Sequence, residues 1–185
     1  MIQAISRFIL RIFGWQADLA VQISDKCVLV GAPHTTNWDF PLAILGMAAM
    51  GIKFNWVAKH TLFRWPTGYI MRLLGGIALD RKTGGTSFAI KAVESFHGLD
   101  RFILAIAPEG TRHKTEYWKA GFYKIALKSG VPIALGYVDF KNKIVGIGRV
   151  FMPSGDQAKD FALIRHFYSD KAGKYPAKQG QIRLR

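Results

Sequence analysis

Short apolar runs alternate with longer stretches of helical periodicity from Cys27 onward, and this alternation constrains the fold more than any other feature of the chain. Apolar runs between turn signals are typical of buried strands, and strands that alternate with helices form a largely parallel sheet. The predicted strands are Cys27 to Ala32, Asn55 to Ala58, Gly76 to Leu79, Phe102 to Ala107, Val131 to Phe140 and Ile144 to Phe151. The sequence therefore predicts an α/β fold with a mostly parallel central sheet flanked by helices.

Capping signals predict where several helices begin and end. A helix from Pro41 to Met50 should begin near Asp39, because aspartate is a favoured N-cap and proline fits the first helical turn. Leu62 to Leu74 is predicted to form broken helical turns, because Pro66 and Gly68 interrupt it. Further helices are predicted from Thr86 or Ser87 to Phe96, from Gly121 to Ser129, and after a capping-box pattern at Ser154 to about Tyr168.

The first 15 residues have the pattern of an amphipathic helix. One stripe and its flanks are apolar (Ile2, Ile5, Phe8, Ile9, Ile12 and Phe13), whereas Gln3, Arg7 and Arg11 lie on the other side. The alternatives are a helix that lies in a membrane interface and a first helix packed on the protein's own core. We favour the interfacial helix, and we divide the chain into a membrane-contacting segment (1–25), one domain (26–170) and a loose basic tail (171–185).

The charge and the cysteine content limit the class of protein. The 26 basic and 12 acidic residues give a formal charge of +14, which favours an anionic partner such as nucleic acid, anionic lipid or a phosphorylated metabolite. Cys27 is the only cysteine and lies in an apolar run, so we interpret it as a core residue and exclude an intrachain disulfide. The longest uncharged apolar run, Phe40 to Ile52, is too short to span a bilayer.

Three short polar motifs each follow a predicted strand. His34 and Asp39 lie in HTTNWD after the first strand, Asp80-Arg81 follows the run that ends at Leu79, and Glu109-Gly110-Thr111-Arg112 follows the run that ends at Ala107. The carboxyl ends of parallel strands meet at one edge of a sheet, where ligands bind. We therefore expect the three motifs to converge on one site.

The spacing of His34 and Asp39 permits general base chemistry if the two residues lie on a loop between a strand and a helix. The aspartate would then accept the Nδ1 proton of the imidazole and leave Nε2 to remove a proton from a substrate. No GxSxG pattern is present, and Thr35 and Thr36 are too close to His34 to be favoured as nucleophiles, so the attacking hydroxyl should belong to the substrate. The alternative is a loop histidine and a helix-capping aspartate without a catalytic role.

Several cations and backbone amides in these motifs could bind a phosphate. Arg112, with Gly110 and Thr111, follows a strand and a proline, where a guanidinium group and amide groups can bind one anion together. Arg81 and Lys59 lie at two other predicted strand ends. Taken singly, each is more often a solvated surface charge.

Taken together, the blocks HTTNWD, Lys59 to Arg81, Pro108 to Arg112 and Val131-Pro132-Ile133 resemble those of the glycerolipid acyltransferase family, of the lysophosphatidic acid acyltransferase type. The resemblance extends from about Val28 to Leu135. It implies transfer of an acyl group from acyl-CoA or acyl carrier protein to a lysophospholipid hydroxyl.

The same resemblance assigns roles to residues of this chain. It implies that His34 is the general base and that Asp39 orients it. It also implies that the EGTR block, Glu109 to Arg112 (Glu109, Gly110, Thr111 and Arg112), together with Arg81 and Lys59, binds or organises the acceptor phosphate. The chain departs from the usual family pattern at Pro33, where asparagine is usual, and at Leu135, where proline is usual.

Two other functions remain open from the sequence. One is a non-catalytic basic module that binds anionic membranes or nucleic acid, although no nucleic-acid reader pattern occurs and we expect no nucleic-acid partner. The other is an acyl-thioester hydrolase. The five histidines show no metal-ligand spacing, and neither GxxxxGK nor GxGxxG occurs, so we expect no metal and no cofactor. The expected location is the cytoplasm, peripherally on the cytoplasmic membrane.

Overall fold

The computed structural model describes residues 1–79 and 85–184. Its elements, in chain order, are α1 (Ile2–Ile12), β1 (Gln16–Leu19), β2 (Lys26–Ala32), α2 (Asp39–Met50), β3 (Asn55–Lys59), a 3-10 turn (His60–Phe63), α3 (Thr67–Leu73), β4 (Gly76–Leu79), α4 (Gly85–Gly98), β5 (Phe102–Ile106), α5 (Gly121–Ser129), β6 (Ile133–Asp139), β7 (Ile144–Phe151), α6 (Gln157–Tyr168) and a second 3-10 turn (Pro176–Lys178).

The strands of the described chain form one sheet in the order β1-β7-β6-β2-β5-β3-β4. All neighbouring pairs are parallel except β6 and β7, which are antiparallel. The predicted α/β class and the mostly parallel sheet are therefore confirmed. The strand β1 was missed, because its four residues are exposed or half-buried and show no apolar run.

Alternate residues of the central strands face two separate cores. Val28 and Val30 of β2 pack with the helices α4, α5 and α6 on one face, whereas Cys27 and Leu29 pack with Met47 of α2 on the other. Cys27 is fully buried, as predicted, and burial raises the pKa of its thiol to about 12. The two cores hold the sheet between layers of helix and fix the strand ends that carry the polar motifs.

The N-terminal helix α1 is present, and its apolar stripe faces away from the protein. Its buried residues are Ser6 and Leu10, and the Arg7 guanidinium donates a hydrogen bond to the carbonyl of Ala49 in α2 (3.1 Å). Five of the six apolar residues of the stripe and its flanks (Ile2, Ile5, Phe8, Ile12 and Phe13) are more than half exposed, whereas Ile9 is half-buried. In the part of the chain that the structure describes, no helix is long and apolar enough to cross a bilayer.

The basic C-terminal tail was predicted to be loose, and this prediction is wrong. The Phe140 amide donates to the carbonyl of Ala172 (2.8 Å), and the Trp118 amide donates to the carbonyl of Arg183 (2.8 Å). Ile182 and Leu184 pack against the core on the α4, α5 and α6 side. These two apolar side chains and the backbone hydrogen bonds together hold the segment against the domain.

The cap of the last helix also differs from the prediction. Asp156, and not Ser154, is the N-cap, and its carboxylate accepts a hydrogen bond from the amide of Lys159 (3.1 Å). Ser154 instead donates its hydroxyl proton to the buried carboxylate of Asp160 (2.9 Å). The serine therefore stabilises the loop before the helix.

Candidate active site

The polar motifs lie at the carboxyl edge of the parallel strands. His34 follows the end of β2, Glu109 follows the end of β5, and Lys59 is the last residue of β3. Since β5 lies between β2 and β3, Lys59 is roughly 10 Å across the sheet from the end of β2. The parallel register therefore brings two of the three predicted motifs, together with Lys59, to one edge. Asp80 and Arg81, which follow β4, lie outside the described residues.

His34 and Asp39 form a hydrogen-bonded pair. The imidazole Nδ1 lies 3.0 Å from Asp39 Oδ2, and the side chains are 24% and 6% exposed, respectively. The loop between β2 and α2 folds the histidine back toward the first residue of the helix, which is the arrangement that the sequence predicts. Because Nδ1 is held by the carboxylate and the side chain remains partly accessible, Nε2 is the nitrogen available to a substrate.

Asp39 does not cap its own helix, contrary to the sequence-based expectation. Trp38 is the N-cap residue of α2, and no side-chain capping bond is formed. The Oδ2 atom of Asp39 instead accepts hydrogen bonds from the amides of Thr35 (2.8 Å) and Thr36 (2.9 Å). The carboxylate thus holds the loop and the imidazole with one oxygen. Its other oxygen, Oδ1, is buried and has no hydrogen-bond partner among the described residues.

Glu109 lies beneath the histidine loop and is 4% exposed. Its Oε2 atom accepts a hydrogen bond from the backbone amide of His34 (2.9 Å). Burial raises the pKa of the Glu109 carboxyl from 4.5 to about 8, the amide of His34 lowers it, and the nearby charge of Asp39 raises it. Glu109 therefore links the β5 loop to the β2 loop, and its position favours a role in organising the site over direct contact with a ligand.

The rest of the EGTR block forms a turn at the surface. Gly110 has a φ of 65°, the left-handed region that favours glycine, and its amide donates to the carbonyl of Ala107 (3.1 Å). The hydroxyl of Thr111 accepts a hydrogen bond from the amide of His113 (3.3 Å), which leaves Arg112 exposed at the apex. The block therefore presents a guanidinium group to solvent beside the buried Glu109.

Lys119 is a cation of this region that the sequence analysis missed. Its Nζ atom lies 2.8 Å from where a Cβ atom at position 110 would be, and its backbone amide donates to the carbonyl of Pro108 (2.9 Å). No motif marks this lysine. The only available signal was its short separation from Arg112 along a basic stretch of the chain.

The C-terminal tail also contacts the histidine loop. The amide of Tyr175 donates to the hydroxyl of Thr35 (3.3 Å). The Nζ atom of Lys174 lies 5.9 Å from the centroid of the exposed Trp38 ring. No site role was predicted for this segment, because nothing in its composition indicates that it returns to the site.

A cavity of about 20 Å³ lies behind Glu109 and is lined by Ala32, Pro33, Glu109, Trp118, Tyr168, Gln179, Gly180 and Ile182. This volume is sufficient for one water molecule. The Tyr168 hydroxyl lies 2.8 Å from the carbonyl oxygen of Gly136 and 3.2 Å from that of Val30. The hydroxyl of Tyr168, behind the site, is thus hydrogen-bonded to the central strands β2 and β6. Over residues 1–79 and 85–184, no three His, Cys, Asp or Glu side chains converge as a metal-ligand set.

Comparison with known proteins identifies the family of the chain and a solved structure of similar fold. The acyltransferase family model matches residues 18–134, more than half of the chain. The chain is similar in fold to the 1-acyl-sn-glycerophosphate acyltransferase PlsC from Thermotoga maritima, with a TM-score of 0.59 and 22% sequence identity, over 91% of this chain and 74% of that chain. No curated protein matches the chain.

Proposed function

The chain belongs to the acyltransferase family, and we propose that it transfers a fatty acyl group from an acyl thioester to the hydroxyl of a lysophospholipid such as 1-acyl-glycerol-3-phosphate. The observation that carries this proposal is the contact between His34 Nδ1 and Asp39 Oδ2 (3.0 Å), on a loop at the carboxyl edge of the sheet. Acyl-CoA or acyl carrier protein would supply the thioester.

The geometry supports direct transfer. Nε2 of His34 removes the proton of the acceptor hydroxyl while the hydroxyl oxygen attacks the thioester carbonyl. A carbon–oxygen bond forms, the carbon–sulfur bond breaks, and the imidazolium returns the proton to the departing thiolate. The carboxylate of Asp39 stabilises the imidazolium, as in other histidine-carboxylate pairs. No covalent acyl-enzyme is required, which agrees with the absence of a GxSxG motif.

The cations of the same edge would place the acceptor phosphate. Arg112 and Lys59 are exposed there, and Lys119 lies over Gly110. A guanidinium group binds two phosphate oxygens at once, whereas each ammonium group adds a point charge. Arg81 remains part of the proposal, although it lies outside the described residues. A fixed phosphate would orient the glycerol hydroxyl toward His34.

The exposed stripe of α1 supports peripheral attachment to the cytoplasmic membrane. An amphipathic helix lies in a bilayer interface with its apolar face toward the acyl chains. The stripe includes Phe8 and Ile12, which are 65% and 62% exposed, on a helix whose opposite side packs against α2. Phe8→Ser with Ile12→Ser should weaken sedimentation with lipid vesicles, and unchanged sedimentation would contradict attachment through α1.

The experiment that tests the proposed reaction measures two products, acylated lipid and free fatty acid. Acyl-CoA or acyl carrier protein is supplied with a panel of lysophospholipids, and the products are identified by mass spectrometry. Acylated lipid should form with the wild type and disappear with His34→Ala, whereas His97→Ala, which changes an exposed histidine of α4, should retain activity. Release of free fatty acid regardless of acceptor would identify a thioesterase and would contradict the proposal.

A further inference from the structure

A second apolar surface, separate from α1, lies on the connection between β3 and β4. It consists of Leu62, Trp65, Tyr69, Ile70 and Leu73, which we name the α3 surface. Trp65 is 93% exposed, Tyr69 is 76% exposed and Leu73 is 74% exposed. Scattered exposed apolar residues are ordinary, but a contiguous group of this size marks an interaction site.

The α3 surface follows from the helical spacing of its residues. Tyr69 and Leu73 are four positions apart in α3, so they lie on one face of the helix, and Ile70 lies beside them. The opposite side of the connection is packed, because Phe63 is buried and stacks on Trp56 at 5.9 Å between ring centroids. Phe63 thus packs into the core, whereas the residues of the α3 surface remain exposed to solvent.

The charges around the α3 surface favour an anionic partner. Arg64 and Arg72 are both exposed beside it, and the Arg72 guanidinium also lies 5.9 Å from the centroid of the Phe63 ring. No aspartate or glutamate occurs between Asp39 and Asp80, whereas Lys53 and Lys59 add two further cations to that stretch. Basic side chains beside exposed tryptophan and tyrosine are typical of surfaces that lie in the interface of a bilayer.

The topology places the α3 surface on the same side of the sheet as α1. The connections from β2 to β3 and from β3 to β4 cross the sheet in the same direction, so right-handed crossovers put α2 and α3 on one face. The ring of Phe40 in α2 packs on Trp56 (4.3 Å between centroids), which in turn stacks on Phe63. Since α1 packs against α2, all three helices share that side of the protein.

We propose that the α3 surface is a second membrane contact, which inserts Trp65, Tyr69 and Leu73 into the interface of an anionic bilayer. An extended bilayer can engage α1 and the α3 surface together, because both lie on one side of the sheet. The connection begins at Lys59, at the carboxyl edge of β3, so Leu62 and Trp65 are the members of the surface closest along the chain to the site. Contact there holds the site against the lipid that contains the acceptor. This inference rests on the proposed function. Its tests measure lipid binding, which does not require acyl transfer.

The first test removes the apolar side chains. The full chain carrying Trp65→Ser, Tyr69→Ser and Leu73→Ser is sedimented with phosphatidylcholine vesicles that contain phosphatidylglycerol. Partitioning should fall by at least about tenfold, because the lost burial of three large side chains weakens insertion. The matched control is Ile90→Ser with Leu127→Ser, which changes exposed residues of α4 and α5 on the opposite face, and it should partition as the wild type does.

The second test locates Trp65 in the bilayer with a substitution that preserves apolar character. Vesicles that contain brominated lipid should quench wild-type tryptophan fluorescence. In Trp65→Leu most of this quenching should be lost while sedimentation is retained, whereas Trp118→Phe, which changes a buried tryptophan on the opposite face, should leave it largely unchanged. This pair decides the proposal even if the triple variant does not fold. Quenching that is unchanged in Trp65→Leu would overturn the proposal.

The third test concerns charge. Arg64→Gln with Arg72→Gln should lower partitioning to the anionic vesicles by about 30-fold, since each cation near an anionic leaflet contributes about a fivefold factor. Binding to vesicles of phosphatidylcholine alone should not change. Equal loss on both vesicle types would contradict an anionic lipid surface.

Two further outcomes would assign the α3 surface to a protein partner and overturn the proposal. One is unchanged vesicle binding in the triple variant together with slower turnover when acyl carrier protein supplies the thioester. The other is a wild-type dimer in sedimentation analysis that the triple variant abolishes. Vesicle binding without any acyl transfer would contradict the proposed function and leave the membrane contact intact.

Discussion

The backbone amide of Tyr175 donates a hydrogen bond to the hydroxyl of Thr35, at 3.3 Å, and so joins the C-terminal segment to the histidine loop. The amide of Thr35 in turn donates to Asp39 Oδ2 (2.8 Å), the same atom that contacts His34. Three hydrogen-bonded contacts therefore connect the tail to the imidazole. We therefore expect the orientation of His34 to depend on a segment that carries none of the family motifs.

Thr35→Val tests this connection. The valine keeps the size of the side chain but leaves the Tyr175 amide without its acceptor in a partly buried position, so the free energy of unfolding should fall by about 1–3 kcal/mol. The rate of acyl transfer should also fall, because the loop is less firmly held. Urea denaturation and turnover are the measurements. Thr61→Val, at an exposed position, should change neither, and a stable, fully active Thr35→Val would show that the tail does not hold the loop.

Asp39→Asn should reduce kcat/KM by about 10²- to 10⁴-fold, because a neutral amide neither fixes the imidazole tautomer nor stabilises the imidazolium. The KM for the acceptor should change little, since the phosphate contacts remain. Steady-state kinetics at saturating thioester measures both. The control is Asp25→Asn, an exposed carboxylate that pairs with Arg101 (3.5 Å) before β2. Wild-type activity in Asp39→Asn would exclude this aspartate as the residue that orients His34.

Glu109→Gln should change how stability depends on pH. The pKa of Glu109 is raised from 4.5 to about 8 in the folded protein, so the folded state binds more protons than the unfolded state between these values. The contribution of this carboxyl to the free energy of unfolding is therefore complete below pH 4.5 and is lost as the pH rises toward 8. Glutamine cannot titrate but can still accept from the amide of His34.

The difference in unfolding free energy between wild type and Glu109→Gln, measured by urea denaturation across this pH range, isolates the contribution of Glu109. The wild type should lose stability relative to the variant as the pH increases. Parallel curves for the two proteins would mean that Glu109 titrates at an ordinary pKa.

Gly110→Ala should cost about 1 kcal/mol of stability, because φ is 65° at this position and an L-residue is strained there. The added Cβ would also meet Lys119 Nζ at 2.8 Å, so the lysine must move and acceptor binding should weaken. Thermal denaturation and the KM for the acceptor measure the two effects. Gly121→Ala, in the helix α5 with open space around it, should be neutral or slightly stabilising. Equal stability of the two variants would contradict strain at Gly110.

The sequence predicted the fold and the approach of His34 to Asp39 because both depend on local patterns. Apolar runs locate the strands, and a polar residue at the end of each strand lies at a common edge once the sheet is parallel. The burial of Cys27 and the αL termination of α5 at Gly130 follow from the same local signals.

The missed features depend on contacts between distant residues. The exposed β1 pairs with β7 through its backbone, which no periodicity records. The tail is tied to Thr35 by a backbone amide, and its basic composition obscures Ile182 and Leu184. Asp39 resembles a helix cap in sequence, but in the fold its carboxylate accepts from the amides of Thr35 and Thr36 in the preceding loop.

The position of strand β6 shows that the folded domain extends beyond the sequence motifs. It lies between β2 and β7 and extends from Ile133 to Asp139, so most of it follows residue 134, where the match to the family model ends. A chain cut at that residue would retain every recognisable motif. It would nevertheless expose one side of β2, the strand that leads to His34, and would lose the buried contacts on which both cores depend. A boundary drawn from the motifs alone would therefore leave the sheet and both cores incomplete, and a truncated variant that folds should extend through Leu184.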